Sequence, residues 1–76
     1  MRHRKGTPRK VLRLRQLRRA SEMSQDTLAR RVGLNKSTIC MIENGDRQPS
    51  FQKAVDIAAV FGESVEEVFR LVEVPA

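Results

Sequence analysis

The amino-acid sequence predicts an all-α fold: a compact five-helix bundle behind a flexible basic N-terminal arm. Three observations predict it. Apolar residues recur at three- and four-residue spacing from Val11 onward, which is the period of a helix face and not of a strand. Residues that cap helices (Thr7, Ser24, Asn35, Ser50, Ser64) stand ahead of those stretches, and Gly33, Gly45 and Gly62 stand behind three of them. No alternation of apolar and polar residues, internal repeat or low-complexity segment interrupts the pattern. At 76 residues the chain has the size of one small domain, with little room for a sizeable catalytic pocket.

The elements follow in order. Residues 1–6 are too polar and charged to bury anything, and the arm is expected to order on an anionic partner. The folded domain is then expected over residues 7–76. Thr7-Pro8 opens helix 1, with threonine as cap and proline in the first turn; Val11, Leu14 and Leu17 form its buried stripe, and it ends near Ser21. Helix 2 starts at Ser24, carries Asp26 against the positive end of its dipole, faces inward with Leu28, Ala29 and Val32, and stops at Gly33. Asn35 caps helix 3, which Gly45 ends after about nine residues. Ile39 and Ile42 lie on one side of it, with Lys36, Ser37, Cys40, Met41 and Asn44 on the other. Ser50 opens helix 4, whose wide apolar face is Phe51, Ala54, Val55, Ala58 and Phe61. Ser64-Val65-Glu66-Glu67 has capping-box spacing and opens helix 5, with Val65, Val68, Phe69 and Val72 on one stripe and Pro75 as its limit.

Charge divides the chain. The formal net charge is +6; residues 1–19 hold nine basic residues and no acid, and the remainder holds six basic and nine acidic residues. A basic end favours a polyanion, either nucleic acid or an anionic membrane. Val11 to Arg19 lack the bulky aromatics of a membrane anchor, no apolar run approaches about 18 residues, and no signal-peptide core follows the basic start. A cytoplasmic protein without membrane contact is therefore expected. Cys40 is the only cysteine and His3 the only histidine, so neither a disulfide framework nor a metal cluster is expected, and no cofactor. No set of nucleophile, base and orienting group is apparent, and the chain is not expected to be an enzyme.

The residues Ser24-Gln25, Leu28-Ala29, Gly33, Ile39 and the run Ile42-Glu43-Asn44-Gly45-Asp46-Arg47-Gln48-Pro49-Ser50 resemble, in order and spacing, the Cro/repressor-type (XRE) helix-turn-helix family. The resemblance covers roughly Leu14 to Phe69. It implies that helix 2 lies across the backbone of double-stranded DNA while helix 3 enters the major groove. Lys36, Ser37 and Met41 then stand at base-contacting positions, with Thr38 near enough to touch a base edge or sugar. Lysine donates to guanine O6 and N7, serine donates or accepts, and methionine offers apolar contact to a thymine methyl. Gln25 and Asn44 match the family's phosphate clamps at the start of helix 2 and the end of helix 3. Arg47, Arg13 and Arg9 are candidates for added phosphate charge. Arg18 and Glu43 resemble the family's structural ion pair between helix 1 and helix 3. Cys40, whose thiol is expected near the groove face, departs from the small hydroxyl or glycine-like residue expected there, either as a tolerated small residue or as a redox switch, the first being favoured because no resolving cysteine is present.

One such domain spans few base pairs, so a homodimer on a palindromic site is expected, with half-sites about 34 Å apart. Val65, Val68, Phe69 and Val72 are its interface candidates. The function implied is a transcriptional regulator, in the first instance a repressor. An antitoxin or adaptor-like module that uses the same fold to bind an unknown protein partner is the alternative.

Overall fold

The computed structural model describes residues 9–74; the expected arm and the Thr7-Pro8 cap lie outside them. The expected capping residues explain the middle of the chain. Ser24, Asn35, Ser50 and Ser64 accept hydrogen bonds from the backbone N–H groups of Thr27, Thr38, Lys53 and Glu67, each satisfying a donor that a helix start leaves without a partner. The helices that follow are α1 (Arg13–Ala20), α2 (Gln25–Val32), α3 (Lys36–Asn44), α4 (Phe51–Phe61) and α5 (Val65–Val68). Gly33 closes α2 in the left-handed conformation, at φ 74°. The next residue, Leu34, donates from its N–H to the Ala29 carbonyl at 2.8 Å, so the turn into α3 is tight and its orphan carbonyls are satisfied.

The two ends of the fold depart from the all-α expectation. Arg9–Leu12 is a strand, β1, and Leu71–Val74 is a second strand, β2; they pair antiparallel in the register Arg9↔Val74, Lys10↔Glu73, Val11↔Val72 and Leu12↔Leu71. Helix α1 thus begins at Arg13, with Leu12 as an extended N-cap that makes no side-chain cap. Helix α5 is a single turn that ends at Val68, and Val72 stands in β2, off the helical stripe expected to run on from Val65. The physical reason is non-local. Val11, Val72 and Val74 are β-branched and favour strands, and pairing also opposes Lys10 to Glu73, a favourable cross-strand charge pair. The Arg13 N–H then donates to the Arg70 carbonyl at 2.8 Å, fastening the start of α1 to the end of α5.

The core lies where the five helices meet. Leu14, Leu28, Ile39, Ile42, Ile57 and Val68 are fully buried, joined by Ala29, Val32 and Ala58. Core burial uses one side of α3, through Ile39 and Ile42, and leaves Ser37 and Asn44 exposed. Among the described residues no helix is long and apolar enough to cross a membrane.

Candidate nucleic-acid interface

Three helices converge on one carboxylate. Glu43, on the inner side of α3 and 4% exposed, accepts from Arg18 Nε at 2.5 Å, from Arg18 Nη2 at 3.1 Å and from Gln25 Nε2 at 3.0 Å. Arg18 comes from α1 and Gln25 opens α2. The remaining guanidinium nitrogen, Arg18 Nη1, donates to the Met23 carbonyl in the α1–α2 turn at 2.8 Å. A bidentate guanidinium on a carboxylate is directional as well as strong, so this junction sets the angle of α3 against α1 and α2. Glu43 is neutralised within it and adds no open negative charge to the surface nearby.

The turn between α2 and α3 is held from behind. Lys53 of α4 donates from Nζ to the Val32 carbonyl at 2.6 Å, at the negative end of α2 where a cation is favoured. A Cβ on Gly33 would come within 3.2 Å of that nitrogen. Glycine there satisfies both the positive φ and the close approach of the lysine.

Around the Glu43 junction the surface forms a groove of about 470 Å³ lined by Arg15, Arg18, Arg19, Ser24, Gln25, Lys36, Cys40, Glu43 and Asn44. The structure brings together Gln25, Lys36 and Asn44 from the sequence-derived set. Gln25 is half-buried and already gives one amide hydrogen to Glu43. Lys36 and Ser37 are exposed in the first turn of α3, and Met41 is half-buried one turn further on. Asn44 donates from Nδ2 to Cys40 Sγ at 3.6 Å, so the thiol serves as a local acceptor for the neighbouring amide.

Other candidates stand apart from that groove. Thr38 gives its hydroxyl hydrogen to Asn35 Oδ1 at 2.9 Å and borders, with Arg47 and Lys53, a separate depression toward α4. Arg13 turns to the opposite side, where its Nη1 lies 3.4 Å from Glu63 and 3.7 Å from Glu67. Arg9 contributes backbone to β1. The reason Arg13 stands apart is rotational: at about 100° per residue, Arg15, Arg18 and Arg19 fall about 200°, 140° and 240° around α1 from it. The same arithmetic applied to the sequence marks Arg15 and Arg19, absent from the sequence-derived candidates, as the arginines that share a side with Arg18.

Of the interface candidates, Val68 is a correction: it is fully buried in the core and has no surface to offer a partner. Val65 and Phe69 are partly buried and line, with Leu12, Ile42, Pro49 and the 77%-exposed Phe51, a second and mainly apolar groove of about 480 Å³. Val72 is half-buried in β2.

Comparison with known proteins agrees with this geometry. The HTH_3 helix-turn-helix family model matches residues 14–68. An uncharacterised HTH-type transcriptional regulator of Archaeoglobus fulgidus is 39% identical over 57 residues, 75% of this chain and 80% of its own length. The uncharacterised HTH-type transcriptional regulator YgzD of Bacillus subtilis is 37% identical over 60 residues, 79% of this chain and 91% of its own. Among solved structures, the restriction-modification controller protein C.AhdI from Aeromonas hydrophila superimposes with a TM-score of 0.67 at 37% identity, over 75% of this chain and 83% of that one. With the matched region spanning all five helices and their junction, this chain belongs to the HTH_3 helix-turn-helix family of DNA-binding transcriptional regulators, the XRE type that its Ser24-to-Ser50 spacing resembles.

Proposed function

We propose that this chain is a sequence-specific regulator of transcription that binds double-stranded DNA as a dimer on a palindromic operator, with α3 in the major groove, and represses. One observation carries the reading. Helix α3 is locked from its inner side by Glu43 onto both α1 and α2, while Lys36, Ser37 and Asn44 on its other side stay exposed. That is a rigid presentation of donors and acceptors without an internal partner for the first two among the described residues, as base readout requires. In this reading Lys36 and Ser37 contact base edges and Met41 a thymine methyl. Thr38 contributes a sugar or base-edge contact from the flank. Gln25 uses its second amide hydrogen on a phosphate, joined by Asn44 and, from the loop after α3, by Arg47. The reading assigns the chain no reaction, and its place of action is the cytoplasm, at the DNA.

The dimer seam in this proposal is the apolar groove of Leu12, Val65, Phe69 and Phe51, since an exposed phenylalanine beside an apolar depression suits a self-complementary contact. The same groove favours one second reading, an adaptor or antitoxin that holds a protein there. Selection of bound duplexes from a random pool separates the two. A two-fold symmetric motif with half-sites one helical turn apart is expected; no enriched motif would leave the adaptor reading standing.

A further inference from the structure

We propose that Arg15 and Arg19 of α1 are a phosphate grip, holding the DNA backbone beside the segment that α3 reads; this rests on the DNA-binding reading above and names the part of the chain that supplies its charge. The inference comes from which cations are already satisfied. Arg13 is drawn to Glu63 and Glu67, Arg18 is spent on Glu43 and Met23, Arg30 pairs with Asp26, Lys53 with Val32 and Asp56, and Arg70 with Glu67. Arg15 and Arg19 have neither an acidic partner nor a hydrogen bond among the described residues. They are four residues apart, so their side chains rise from the same side of α1 one turn apart. Both line the groove that also holds Gln25 at the start of α2 and Lys36 at the start of α3.

The one carboxylate lining that groove, Glu43, is consumed by Arg18 and Gln25, so nothing negative there competes for the two guanidinium groups. Two helix starts add their unpaired N–H groups and dipole ends to the same surface. Planar, permanently charged guanidinium groups match phosphate oxygens bidentately. The spent charge of Arg18 holds the scaffold, and the open charge of its neighbours holds the ligand.

The test uses the full chain and a 20-bp duplex of random sequence, because phosphate binding is read by its salt dependence whatever the operator. Removing one phosphate-bound guanidinium lowers the slope of log K against log salt by about 0.9 per bound protomer and weakens binding about eightfold at 0.1 M salt. Arg15→Gln/Arg19→Gln is expected to lower the slope by about 1.8 and affinity about 60-fold. Arg19→Gln alone, at an exposed position that tolerates the change, is expected to show half the slope change. Arg70→Gln removes the same charge from a side chain that is paired with Glu67 and does not line the groove, and is expected to leave the slope unchanged. Unchanged slopes in the α1 variants, or an equal drop in Arg70→Gln, would overturn the grip while the DNA-binding reading stands. Absence of duplex binding by the unaltered chain at 20 mM salt would overturn both.

Discussion

Replacing Glu43 with alanine tests how α3 is held. The change strands Arg18, 8% exposed, without its counterion, and removes the acceptor of three hydrogen bonds from α1 and α2. Removing one partner of a buried ion pair costs about 3–5 kcal/mol, most of it the burden of the uncompensated charge. A domain of 76 residues has about 4–11 kcal/mol of stability in all, so Glu43→Ala removes about a quarter of it or more. Urea unfolding followed by helical circular dichroism measures this, and the matching fall in Tm is at least about 12 °C. Arg18→Met combined with Glu43→Leu recovers most of the loss, because an apolar pair of similar volume leaves no buried charge. A loss below about 1 kcal/mol for Glu43→Ala, or a double variant as unstable as the sum of the singles, would refute the reasoning.

Lys53→Met withdraws the ammonium from the Val32 carbonyl and is expected to cost about 1 kcal/mol in urea unfolding, since the half-exposed amine is partly replaced by water; unchanged stability would remove Lys53 from the turn's support. Glu22 holds a left-handed backbone at φ 55°, which costs a non-glycine residue about 1 kcal/mol or more. Glu22→Gly is therefore expected to raise Tm by about 2–8 °C after the entropy of the unfolded glycine is subtracted, and a fall would contradict the strain. In binding to operator variants, Lys36→Ala is expected to relax preference at one base position by about 1–3 kcal/mol, whereas Asn44→Ala weakens all variants alike; equal effects from both would defeat the division between reading and gripping.

The helix starts at Ser24, Asn35, Ser50 and Ser64 were legible in the sequence because capping is local: one side chain and a backbone N–H three residues on decide it. The glycine stops were legible for the same reason. The strands were not, since each is four residues long and its partner lies some 60 residues away, joined by no hairpin turn. Val11 and Leu12 continue the spacing of Leu14 and Leu17 and so read as helix until the pairing with Leu71 and Val72 is known. Val68 looked available for a partner because a stripe shows which side of a helix is apolar, not what already covers it. Within the site, Lys36 and Asn44 follow from their places on α3, but the destination of each arginine depends on which acids the fold brings near. Glu63 and Glu67 are distant in sequence from Arg13, and their pull on it becomes visible only once α5 folds back on α1.

The central claim is that the outer side of α3 reads bases through the major groove. Methylation interference on a duplex recovered by selection tests it most directly, because methyl groups on guanine N7 stand in the major groove and those on adenine N3 in the minor groove. Interference from N7-methylguanine is expected within each half-site, and it disappears at one position in Lys36→Ala. Interference confined to adenine N3, or none at any base, would contradict the account.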